Sequence, residues 1–421
     1  MNELAKKNGV SVTTLVRSAW NSMALRAAAA LGLGGVALAT TNLIFARVMP
    51  AGEFAQFALL YSIVHIGINA GPIGADVALQ RRLILPNARL MWQSLLTSAV
   101  VAALLVVGSA VLYPLDRVLL AAIFICVTTG GLEIASLAYY RSRDRIGFSL
   151  IMSSCCNAAI FTVALIALAV PISGAIWPAA AMCAAFLFTA VYTWQGIRTE
   201  RSDWSGPGTP YPWKVGWAAT SFIAAGIVLN ALDRLAIPRL LGMEELATFT
   251  VLATIAGSPF TMLYQAVSYT LVSRLRNAAS REQRLRVLGR EATVVAITCT
   301  GAAIGILWLM PYMLKWVLAG RYAIGFSLII AVIIVGCLKV MSSLLAAAVN
   351  ALGSPRELMW MSYIGWSAII VGLAGAAVGA HFGGLLGLIY GVGVGWLLRA
   401  FAVGSIAIPK LYGEKSRSHE P

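Results

Sequence analysis

Charge is scarce in this chain, and acid is scarcer than base. Of 421 residues only 11% are Asp, Glu, Lys or Arg, and the 31 basic residues outnumber the 16 acidic ones. With 60% hydrophobic residues and a mean hydropathy of +0.84, the composition excludes an ordinary soluble globular domain. Cysteine is equally thin. All six (Cys126, Cys155, Cys156, Cys183, Cys299 and Cys337) fall inside long apolar runs, which excludes a disulfide framework or a zinc site and leaves small packing residues. Long polar stretches are missing too, the widest gaps between apolar runs being 197–214 and 274–290. Neither has room for a nucleic-acid-binding or catalytic domain, so the net charge of +15 needs another explanation. There is no nucleophile–base set, metal-ligand set or nucleotide loop; "GVGVG" at 391–395 lacks the strand-to-helix setting such a loop needs. No enzymatic activity and no cofactor are expected.

What is present is a succession of apolar runs long enough to cross a bilayer, whose hydrocarbon core takes ~20 helical residues. They lie near 25–46, 54–76, 90–113, 117–140, 146–170, 174–196, 215–240, 247–273, 291–313, 324–350, 358–380 and 384–408. The fold class expected is therefore an all-α polytopic membrane protein of about twelve transmembrane helices. An even number of crossings puts both termini on one side. The loops on that side carry most of the base, including Arg81, Arg82, Arg141, Arg143, Arg274 and Arg276, while the opposite loops carry only Arg47, Arg117, Arg239, Lys315 and Arg321. Positive charge stays cytoplasmic, so both termini are expected there, with the first span uncleaved. The same asymmetry accounts for the net charge without a nucleic-acid partner. Two local features stand out as well. The basic run 274–291 reads as an amphipathic helix lying on anionic lipid, and the row Gly383, Gly387, Gly391, Gly395 as a face that lets a neighbouring helix approach.

Laying 47–83 over 239–275 without a gap matches Arg47 with Arg239, Glu53 with Glu245, Phe57 with Phe249 and Arg82 with Arg274. The charges match as well as the oil. The offset spans six helices, so the halves share one orientation and place a binding site at their interface. The expected division is an N-terminal six-helix lobe, 1–200, and a C-terminal six-helix lobe, 201–421, pseudo-symmetric around a central cavity and joined by a Pro- and Gly-containing linker at about 197–214.

The stretches "FARVMPAGEFAQFALLYSI", "GADVALQRRL", "LDRLAIPRLLGMEELATFTVL" and "YAIGFSLIIAVIIVGCLKVMSSLLAAAVNALGSPRE" resemble the polysaccharide flippases, the Wzx-type branch of the multidrug/oligosaccharidyl-lipid/polysaccharide exporter superfamily. The resemblance implies movement of an undecaprenyl-diphosphate-linked oligosaccharide between leaflets of the bacterial inner membrane. It also implies alternating access, coupling to an H+ or Na+ gradient, and membrane lipids and polysaccharide polymerase or export proteins as partners. The chain is two helices shorter than the lipid II flippases usually are, which favours a surface-polysaccharide or exopolysaccharide repeat unit. A drug or small-cation exporter of the same superfamily is the rival reading. A membrane enzyme of polysaccharide assembly is a further one, disfavoured by the short outer loops.

An ionisable group inside a span is costly, ~2.5–3.5 kcal/mol at a helix centre, so each is a candidate for the cavity wall. Arg234 and Lys339 are read as ligands for the diphosphate, with Arg82 and Arg274 either forming a basic mouth for it or serving only topology. Asp233 is read as an ion-coupling group. Its alternative is a helix cap, beside an Arg234 that snorkels outward. Glu133 is a second ion-coupling candidate, which either pairs with Lys339 across the lobes or meets a local donor. Arg47 with Glu245, and Arg239 with Glu53, would close an outer gate if they pair across the lobes. His65, Asp76 and Arg399 read as structural.

Overall fold

The computed structural model describes residues 23–412 apart from 144, 171, 173, 202, 203, 207–210, 212 and 279. The helices are α1 (Met23–Val48), α2 (Ala51–Ala70), the short α3 (Ala75–Gln80), α4 (Ala88–Leu112), α5 (Arg117–Ser142), α6 (Ile146–Ala169) and α7 (Ile176–Glu200). There follow α8 (Trp213–Leu240), α9 (Met243–Leu252), α10 (Ser258–Asn277), α11 (Arg281–Tyr312), α12 (Phe326–Leu352) and α13 (Pro355–Tyr412). Among the described residues ten helical stretches are long and apolar enough to cross a membrane. The last of them doubles back and crosses twice, and α1 adds one more. The protein is a multi-pass, all-helical membrane protein of twelve crossings in two lobes.

Three of the helix starts are set by side-chain caps. Asn87 caps α4 by accepting from the Leu90 N–H at 2.8 Å, and Ser280 caps α11 through the Gln283 N–H at 3.2 Å. At the start of α13, Glu357 accepts from both the N–H and the hydroxyl of Ser354, at 2.7 and 2.9 Å. Within the first lobe α1 packs on α6, α2 on α5 and α5 on α7. Six crossings later α8 packs on α13, α10 on α12 and α12 on α13. The lobes meet where α2 crosses α8 and α9.

Gly383 and Gly384 leave helical geometry, Gly384 with φ 54°, and α13 folds back into an antiparallel hairpin. A Cβ on Gly379 would stand 2.1 Å from the Gly387 carbonyl oxygen, and one on Gly391 2.1 Å from that of Gly375. The glycine row is thus a packing face, as the four-residue spacing indicates, except that Gly383 belongs to the turn.

Two local expectations are corrected. The second span does not run to 76: α2 ends at Ala70, because Pro72 brings no N–H, and the chain turns with Ile73 at φ 45° and Gly74 at φ 76°. The basic run 274–291 is no separate surface helix, since α11 starts at Arg281 and continues into the span with Arg284 buried. Pro238 lies inside α8, which runs through it to Leu240 although the Arg234 carbonyl loses its helical donor.

Candidate functional site

The helix between α9 and α10 widens into a π turn at Ala253–Gly257, immediately before Pro259. Such turns displace helical side chains and recur at functional sites. Here Ala253, Thr254 and Gly257 face a cavity of about 240 Å3 between the lobes. Its wall draws on α1 (Asn42), α2 (Tyr61, His65), α8 (Asn230, Asp233, Arg234), α10 (Thr261, Gln265) and α12 (Lys339). A second compartment of about 370 Å3 shares His65, Ile227, Asn230 and Gln265 with the first, and adds Ser342, Asn350 and Arg399. Together they form one chamber along α8, with Arg234 toward the face where α8 ends and Arg399 toward the face where it starts.

Lys339 Nζ lies 3.7 Å from an Asp233 carboxylate oxygen and 5.5 Å from the centre of the Trp396 ring. Both members of the pair are largely removed from solvent, side-chain exposures being 15% and 10%. Asp233 also accepts from the Arg234 backbone N–H at 2.9 Å, which holds the carboxylate back along α8 and leaves the Arg234 side chain to the chamber. Adjacent positions on a helix point ~100° apart, yet both residues reach the cavity because it wraps around this end of α8. His65 stacks on Tyr61 at 6.3 Å between ring centres and stands in both compartments.

The structure therefore brings Asp233, Arg234 and Lys339 together and separates the other sequence candidates from them. Glu133 does not meet Lys339, whose partner is Asp233; it is buried between α5 and α7, its carboxyl against the Thr189 hydroxyl, and lines neither compartment. Arg82, at φ 58°, donates from Nε to the Ser142 carbonyl at 3.0 Å, and Arg274 pairs with Glu291. Both arginines are exposed and occupied locally, outside the chamber. Neither gate pair is formed among the described residues: Glu53 instead accepts from the Ala175 N–H at 2.8 Å, and Arg47, Arg239 and Glu245 are exposed.

Other bonds join the lobes at that far face. Tyr113 donates to the Leu235 carbonyl at 2.9 Å, Tyr322 to that of Ala46 at 3.2 Å, and Arg321 to that of Arg47 at 3.1 Å. Deeper in, Asn42 reaches Thr254 at 3.3 Å. Sequence reasoning missed the neutral polar wall and read Arg399 and His65 as structural, whereas both line the chamber. The signal for the wall was present: Asn230 and Arg234 on α8, and Ser258, Thr261 and Gln265 on α10, recur at three- and four-residue steps through otherwise apolar helices.

No family model matches the chain, and no curated protein matches it. Solved structures do. Over 91% of this chain and 96% of the other, it is similar to an inward-facing multidrug resistance MATE family transporter of the MOP superfamily, with TM-score 0.63 and 13% identity. The MATE multidrug transporter DinF-BH matches at TM-score 0.63 and 14% identity, covering 96% and 97% of the two chains. Lipid II flippase MurJ, in an inward closed conformation, matches at TM-score 0.61 and 10% identity, covering 92% and 89%. The fold is the one MATE transporters and MurJ share. All three similar proteins are transporters or flippases.

Proposed function

We propose that this protein is a flippase for a polyprenyl-diphosphate-linked oligosaccharide, carried from the cytoplasmic to the outer leaflet of a bacterial inner membrane with both termini cytoplasmic. The carrying observation is the charge of the chamber. Its two compartments present Arg234, Lys339 and Arg399 against one carboxylate, Asp233, a net charge of +2 with His65 neutral. That suits an anionic head group and opposes the cationic cargo of a drug exporter. The Arg234 guanidinium supplies a planar fork for phosphate oxygens. The polar wall of Asn42, Asn230, Thr261 and Gln265 offers a glycan the hydrogen bonds it loses on leaving water.

Lys339 is held by Asp233 in this state. Binding of H+ or Na+ at Asp233 would neutralise the carboxylate and free Lys339 for the diphosphate, which couples the ion gradient to the grip on cargo. Proteoliposomes test the reading: a labelled polyprenyl-diphosphate oligosaccharide should change leaflet faster with the protein than without it, and slower with Arg234→Lys. Gradient-driven efflux of a cationic dye, with no acceleration of the lipid-linked sugar, would establish the multidrug reading instead.

A further inference from the structure

Among the described residues two cations of the chamber, Arg234 and Arg399, have no carboxylate partner, and Arg399 is the more deeply buried. Arg399, on the second arm of α13, is 4% exposed, and its Nε and one terminal nitrogen are buried without a hydrogen-bond partner among the described residues. Its guanidinium carbon lies 5.4 Å from the centre of the Trp396 ring, a contact that supplies charge stabilisation but no oxygen acceptor for the N–H donors. No Asp or Glu lines its compartment, and Asp233 is engaged with Lys339. Opposite, Gly226 keeps the space before the guanidinium open, for even a Cβ there would stand 3.7 Å from it. Asn230, Gln265 and Ser342 add polar groups to the same wall.

An unpaired, desolvated guanidinium is expensive to retain unless something in the working cycle pairs with it. Here the residue lines a cavity of about 370 Å3, large enough for a phosphoryl group and its bridging waters, while Nε and that terminal nitrogen are themselves shielded from it, so a turn of the side chain is needed to present them. We infer that Arg399 marks a second anion station, in the compartment toward the face where α8 starts, which takes a phosphoryl oxyanion when the guanidinium turns into that space, with help from Asn230 and Gln265. The inference rests on the flippase reading only for the source of that group, a lipid-linked diphosphate, and the site itself would equally hold a free one. On the lipid source, the station lies before Arg234 on the route from that face.

The test uses the full chain in nanodiscs of zwitterionic lipid, with inorganic pyrophosphate and farnesyl diphosphate as probes, followed by calorimetry and by thermal unfolding. The wild type should bind at least one probe, and Arg399→Gln should weaken that binding about tenfold or more. Binding of both probes assigns the site to the phosphoryl group alone; binding of farnesyl diphosphate only assigns it to a lipid head group. Without ligand, Arg399→Gln should unfold at a higher temperature than wild type, because an unpaired buried charge has gone. If Arg399→Gln does not fold, Arg399→Lys decides, since it keeps the charge, loses the fork and should bind more weakly than wild type. Absence of binding to the wild type overturns the inference, and so does unchanged affinity in the folded Arg399 variant. Should Lys339→Gln abolish binding while Arg399 variants retain it, the station falls and the flippase reading stands. Arg399-dependent binding without translocation of lipid-linked sugar in proteoliposomes would keep the station and remove the flippase reading.

Discussion

Lys339 has two neighbours that answer different needs: Asp233 opposes its charge at 3.7 Å, and the Trp396 ring lies 5.5 Å away as a second, uncharged stabiliser. The two contacts make the pair separable without leaving a bare buried ammonium. A double-mutant cycle with Asp233→Asn and Lys339→Gln should show a coupling of about 0.5–3 kcal/mol in unfolding measurements, the range for residues in direct contact. Additivity of the two changes would show that the pair does not form in solution. Asp233, Arg234 and Lys339 were legible as site candidates because a charge inside an apolar span has few other uses. Glu133 satisfied the same criterion but is buried between α5 and α7, away from the chamber. Depth along a helix can be counted from sequence; the neighbour at that depth cannot.

At the scale of elements, the α13 hairpin separates two kinds of glycine. Gly375, Gly379, Gly387 and Gly391 bring backbone against backbone, so a methyl has no flexible atom to displace. Gly391→Ala must push the arms apart and should cost about 1–3 kcal/mol, as overpacking does. Gly383→Ala meets nothing within 4 Å at φ −135° and should stay within about 0.5 kcal/mol of wild type. Thermal unfolding of the two variants side by side checks the contrast; equal losses would mean that the arms are not packed through this row. The four-residue repeat announced the close face in the sequence. The turn inside the row was hidden, because Gly383 fits both the repeat and the bend.

For the molecule as a whole, the proposed alternating-access cycle requires the far-face bonds across the lobes to break when that face opens. Tyr322→Phe and Tyr113→Phe each remove a hydrogen bond worth about 0.5–1.5 kcal/mol. The double variant should therefore shift the population toward far-face opening by roughly tenfold, read as longer distances between spin labels placed on the two lobes at that face. An unchanged distance distribution would mean that those bonds persist through the cycle. At the other face Gly74 and Gly216 touch, and a Cβ on Gly74 would lie 2.6 Å from the Gly216 Cα. Gly216→Ala, whose Cβ would meet the Ile73 carbonyl at 2.6 Å, should separate the turn between α2 and α3 from α8 there and slow transport, measured as leaflet exchange in proteoliposomes. Normal exchange would show that the joint is not needed closed.

The number of crossings, most of their ends to within a few residues and the glycine face were determined by the sequence alone, because a bilayer imposes its demand on each segment separately. About twenty residues must be apolar and internally hydrogen-bonded, and caps and Gly or Pro punctuation mark where that stops. The π turn before Pro259, the early end of α2 and the membership of the chamber were decided only in the tertiary structure. These spans are apolar on nearly every side, so no stripe announces which face turns inward, and lipid offers no hydrophobic force to sort the faces. The packing of α8 against α2 and α13 turned Arg234 and Arg399 into one chamber and left Glu133 outside it.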